Sequence, residues 1–131
     1  MSLLLRVITA GFGLGRIAIC LAPFVAAGSS ARLIGFPAAH DTATARLMGR
    51  FFGVRDIGLG ILTFYGLRHP EALGFIMLFN ALMDLGDLVS SSIPPIKREG
   101  IDRGAVVLAT FAAGGGLGWL VLYFASGSFA R

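Results

Sequence analysis

Four long apolar runs, each closed by turn-forming residues, divide the chain at about residues 3–27, 44–66, 71–92 and 104–125. Each reaches the roughly 20 residues that a helix needs to cross the hydrocarbon of a bilayer. A backbone in lipid has to satisfy its own polar groups, which a helix does, and four segments of this length are too few to close a barrel. The pattern predicts an all-α fold, an integral membrane four-transmembrane-helix bundle, with residues 1–131 forming one membrane domain and nothing left over for an appended soluble one. An N-terminal signal peptide is the alternative for the first run, but Arg16 interrupts its apolar core, so it is taken as a span.

The connections differ in character. Residues 28–37 mix Gly28, Ser29 and Ser30 with Arg32, Ile34 and Phe36, which suits a segment lying in the membrane interface. Pro70 and Glu71 form a helix-start signal directly after the second run, so spans two and three are an antiparallel hairpin. Residues 93–103 combine Pro94 and Pro95 with Lys97, Arg98, Glu99, Asp102 and Arg103, a solvated loop. Arg32, Lys97, Arg98 and Arg103 outnumber Arg68 and Arg131 on the opposite side, which places the first and third loops in the cytoplasm. Trp119 and Tyr123 are expected near an interface of the fourth span, a helix without ionisable residues that serves as a packing wall.

Polar residues inside the runs carry the chemistry. A charge at mid-span costs at least about 2.5 to 3.5 kcal/mol on insertion, so it persists only where it faces the bundle interior and finds a partner. Span three holds Asn80, Asp84, Asp87 and Ser91, which at about 100° per residue form one narrow stripe. Span two places Arg46, Gly49, Gly53, Asp56 and Gly60 on one face, with Arg55 pointing the other way. Span one puts Arg16 on the face of Thr9, Gly13 and Cys20. At a rise of 1.5 Å per residue, Arg50, Arg16, Arg55 and Asp56 lie at depths of about 9, 15, 16 and 18 Å. Asp87, Asp84 and Asn80 lie at about 8, 12 and 18 Å. The overlap predicts a near-neutral buried cluster of Arg16, Arg50 and Arg55 with Asp56, Asp84 and Asp87.

Composition narrows the function. Of 131 residues 56% are hydrophobic and only 14% charged, about half the usual share for a soluble domain. The net charge of +4 is scattered among apolar runs instead of forming a basic face, so the expected partner is the lipid bilayer and not nucleic acid. One cysteine and two histidines leave no pattern for a metal, and no cofactor is expected. Carboxylates are the remaining acid and base groups.

The segment Gly53-Val54-Arg55-Asp56-Ile57-Gly58-Leu59-Gly60, followed by Asp84-Leu85-Gly86-Asp87, resembles that of a family of small bacterial and fungal four-span membrane proteins, most of them recorded as a domain of unknown function and close to the DoxX-like bundles. The resemblance covers nearly the whole chain. It implies a four-helix fold with Arg55, Asp56, Asp84 and Asp87 as a shared polar core, and a bacterial inner membrane location if the source is bacterial.

Three functions compete. The first is an intramembrane acid–base enzyme of the epoxide hydrolase or isomerase type, acting on a lipophilic small molecule. In it Asp84, Asp87, Asp56 and Arg55 are catalytic, and Asn80, Arg16 and Arg50 bind substrate. The second is a proton-coupled transport element, which with four spans requires a homo-oligomer. The third is a structural or accessory subunit whose ion pairs set helix register.

Overall fold

The computed structural model describes residues 1–127, Asp102 by its backbone alone. Five α-helices follow in chain order: α1 (Leu3–Val25), α2 (Ala27–Ile34), α3 (Ala43–Arg68), α4 (Pro70–Lys97) and α5 (Asp102–Ala125). A short 3-10 turn, Ala38–His40, precedes α3, and no strand occurs among the described residues. Side-chain caps start two of the helices. The Ser2 hydroxyl accepts from the Leu5 amide at 3.3 Å, and Thr42 accepts from Ala45 at 3.1 Å. Gly35, at φ 101°, ends α2 in the left-handed region that glycine adopts without strain. Only His69 separates α3 from α4, and Pro70 opens α4 in the first turn, where its missing N–H costs nothing.

Two expectations about the connections are corrected. The connection at residues 28–37, read as one mixed turn-forming segment, is mostly helical: α2 takes up residues 28–34, turns Ala27 inward and leaves Leu33 exposed. The helix α4 also runs through Pro94 and Pro95 to Lys97. Prolines break a helix interior by removing a bond to the preceding turn. Here that loss falls in the last turns, and the amides of Arg98 and Glu99 cap the Pro94 and Pro95 carbonyls.

Helices α1, α4 and α5 are each long and apolar enough to cross a membrane. Their surfaces are those of an integral membrane protein. Leu3, Leu14, Phe75, Phe111 and Leu117 face outward, while Thr9, Asp56, Thr63, Asn80 and Asp84 are buried. That distribution inverts the one expected in water.

Helix α1 packs along α3, and α4 along α5, while α3 meets α4 less extensively. Glycines set the first contact. A Cβ at Gly60 would lie 2.7 Å from the Gly13 carbonyl oxygen, so the two backbones touch. Gly60→Ala should therefore cost about 1 to 3 kcal/mol through overpacking, seen as a lower unfolding midpoint in detergent. An unchanged midpoint would deny that contact. The α4–α5 pair closes over Leu73, Met77, Ala81, Trp119 and Leu122. Trp119 is thus a core residue and not an interfacial anchor: it is 1% exposed, with Phe12 of α1 edge-on at 5.3 Å between ring centroids. Its ring fills an apolar slot beside the small Ala81, and Tyr123 packs against the same cluster. Arg131, which entered the loop charge comparison, lies outside the described residues.

Candidate functional site

The periodicity of three helices brings their charges together. Asp56 lies on the face of α3 that also buries Gly53, Gly60 and Thr63, and faces α1. Arg16 rises from the α1 face that buries Thr9, Gly13 and Cys20. Asn80 and Asp84 lie one turn apart on the buried face of α4. Arg16 joins all three helices: its Nη1 donates to Asp56 Oδ1 at 2.9 Å and its Nη2 donates to Asp84 Oδ1. Arg55 makes a second bridge. It grips Asp87 with both terminal nitrogens, at 2.9 and 2.6 Å, and Nη2 also lies 3.3 Å from both Asp56 oxygens. The Cys20 thiol donates to Asp56 Oδ2 at 3.4 Å. The result is a chain of charges running Asp84, Arg16, Asp56, Arg55, Asp87.

Burial grades along this chain. Asp84 and Asp56 are 5% and 4% exposed. The side chains of Asp87 and Arg55 are 23% and 36% exposed, so the cluster has a closed end and an open one. Two guanidiniums face three carboxylates, and the surplus negative charge has a visible counterpart in the hydrogen bonding. Asp84 Oδ2 and Asn80 Oδ1 are buried and have no donor among the described residues. The Asn80 amide nitrogen is used locally, donating to the Ile76 carbonyl at 2.9 Å. Asp84 Oδ2 points at Gly115 of α5, where a Cβ would lie only 2.7 Å away. The glycine leaves room for that oxygen. Unsatisfied buried acceptors cost about 1 to 3 kcal/mol each, so their persistence on one helix face calls for a reason.

The structure brings five of the seven expected residues into one ionic cluster. Arg16, Arg55, Asp56, Asp84 and Asp87 meet, with Asn80 one turn away. Arg50 does not join them: it is exposed near the start of α3 and lines a separate cleft. Axial depth alone could not exclude it, because depth says nothing about the direction around the helix. Helical spacing points Arg55 away from Asp56, but its long side chain passes over the Phe52 ring, 4.9 Å away, and reaches both Asp56 and Asp87. Cys20 was placed on the Arg16 face by its spacing, but nothing in the sequence marked it as a donor.

A second ionic group escaped the sequence reading because its acid lies in a connection. Asp41 accepts from Arg46 at 2.7 and 3.0 Å and from Arg32 at 3.1 Å, tying α2 to the start of α3. Hydrogen bonding from Arg46, then the positive charge of Arg46 and Arg32, holds its carboxyl below the ordinary 3.8. A carboxylate lowered by folding stabilises the native state above its unfolded value, and this contribution fades as pH falls through the native value. Amide exchange in α2 is thus expected to be insensitive to pH-dependent opening at pH 5 and above and to show loosening only below about pH 4. Asp41→Asn should remove that acid step.

The chain belongs to the family described as a domain of unknown function, DUF4267, whose model matches residues 13–123. The matched range includes every member of the ionic cluster. Comparison with curated proteins and with solved structures gives no match.

Proposed function

We propose that the protein spans the membrane four times and that its Arg/Asp cluster is an acid–base centre for a lipophilic molecule with a reactive oxygen, of the epoxide hydrolase or isomerase type. Helix α3 is the fourth span. Its 26 residues reach about 39 Å. Of its mid-helix charges, Asp56 is buried and Arg55 engages the acids, while Arg46 and Arg50 lie within its first turns. The observation that carries the acid–base reading is the surplus carboxylate with its unpartnered oxygen, Asp84 Oδ2. A cluster built only to fix register needs no third acid. A proton on that oxygen neutralises the group and provides a donor.

In hydrolysis, Asp87 at the open end takes a proton from water as the water oxygen attacks an epoxide carbon. The carbon–oxygen bond breaks, and the ring oxygen keeps the electron pair and takes the proton of Asp84, giving a vicinal diol. Asp87 then loses its proton through solvent and Asp84 regains one. Arg55 and Arg16 keep the carboxylates in position, and the Asn80 Oδ1 accepts from a product hydroxyl.

A second reading, an ionic lock between helices, is favoured by one observation: all four terminal nitrogens of Arg16 and Arg55 bond carboxylates. Purified protein in nanodiscs with a long-chain aliphatic epoxide in ¹⁸O-water separates the two. Labelled diol formed by wild type and not by Asp84→Asn supports the enzyme. If wild-type protein gives neither diol nor a rearranged carbonyl product, the lock is preferred.

A further inference from the structure

At the junction of α1, α2 and α3 lies a cleft of about 280 Å³, lined by Gly28, Ser29, Arg32, Asp41, Arg46 and Arg50 among others. It shares no residue with the Arg/Asp cluster. Three arginines face one aspartate there, and Asp41 already engages Arg32 and Arg46. Arg50 has no carboxylate partner among the described residues, so the cleft carries two surplus positive charges. The start of α2 supplies more positive potential: Ala27, Gly28 and Ser29 are its first three residues, they line the cleft, and no side chain caps that end.

We infer that this cleft binds the phosphate of an anionic phospholipid. Guanidinium forks and a helix N-terminus are the groups that recognise phosphate oxygens. The choice of lipid over free phosphate rests on what borders the cleft. Val25 lines the cleft and is large, apolar and exposed; Leu47 and Phe51, also exposed, directly follow the cleft residues Arg46 and Arg50 in the chain. A headgroup in the cleft would lay its acyl chains over them. The volume is close to the lower limit of about 300 Å³ for small-molecule sites, enough for a headgroup and not for the chains.

The test uses full-length protein in a non-ionic detergent, titrated with dihexanoylphosphatidylglycerol, dihexanoylphosphatidylcholine or inorganic phosphate. Binding is followed by native mass spectrometry and by the shift in unfolding midpoint. The phosphatidylglycerol should bind at least about tenfold tighter than either alternative. Arg50→Gln should weaken it about tenfold without changing the midpoint of the lipid-free protein, since Arg50 makes no ion pair to lose. Equal affinity for the two lipids, or an Arg50→Gln variant that binds as wild type, would overturn the site. Inorganic phosphate binding as tightly as phosphatidylglycerol would overturn the lipid assignment.

Discussion

Arg16→Met is expected to destabilise the protein by about 3 to 5 kcal/mol in detergent, because it removes the charge that holds two buried aspartates. The Arg16 side chain is 10% exposed, and it supplies every hydrogen bond that Asp84 receives from a side chain. Without it both Asp84 oxygens lack a side-chain donor among the described residues, on a residue that is only 5% exposed. Asp56 suffers less, since Arg55 and Cys20 still reach it. The double variant Arg16→Met with Asp84→Asn should recover part of the loss, because no acid is then left on the α4 side of the missing guanidinium. Additive losses in the two single variants and the double would show that Arg16 and Asp84 are not coupled, and the bridge between α1 and α4 would be wrong.

The second large effect concerns activity. On the proposed acid–base reading, Asp87→Asn should lower turnover of a long-chain epoxide by about 10² to 10⁴ fold, the usual contribution of a positioned base, while leaving stability almost unchanged. Two features separate activity from folding at this residue. Asp87 lies at the open end of the cluster, so an amide there keeps one acceptor for Arg55 without burying a stranded charge. Arg55 itself is partly exposed and rests against Phe52, which stabilises a cation that has lost a partner. A structural role for Asp87 predicts the opposite outcome, a drop in stability with no catalytic activity to lose.

The ionic cluster was legible because helical geometry is regular. Spacing by 100° and 1.5 Å placed Arg16, Asp56 and Asp84 at neighbouring heights and on inward faces, and these are the groups that meet. The same arithmetic failed at long side chains. Arg55 has enough flexible methylene groups to reverse its helical direction, and Arg50 had a compatible depth but a different neighbourhood. Element ends were harder still. The run of α4 through Pro94 and Pro95 depends on caps from Arg98 and Glu99 that no periodicity announces, and α2 hides in a stretch of turn-forming residues. Asp41 lies in the connection just before the second apolar run, outside the helical periodicity, so its role emerges only when the fold brings Arg32 and Arg46 to it. Trp119 illustrates the limit of interfacial statistics: an amphipathic ring near a span end belongs in the core when the facing helix offers a slot.

The three acids of the cluster outnumber its two guanidiniums, and the proposed acid–base centre makes up the difference with a proton on Asp84. Infrared spectroscopy of aspartate-labelled protein in nanodiscs tests it most directly. Wild type at pH 7 should show the carbonyl band of one neutral carboxylic acid, which shifts in heavy water and disappears in Asp84→Asn but persists in Asp41→Asn. A wild-type spectrum with carboxylate bands alone at that pH would contradict the account and leave the cluster as an ionic lock.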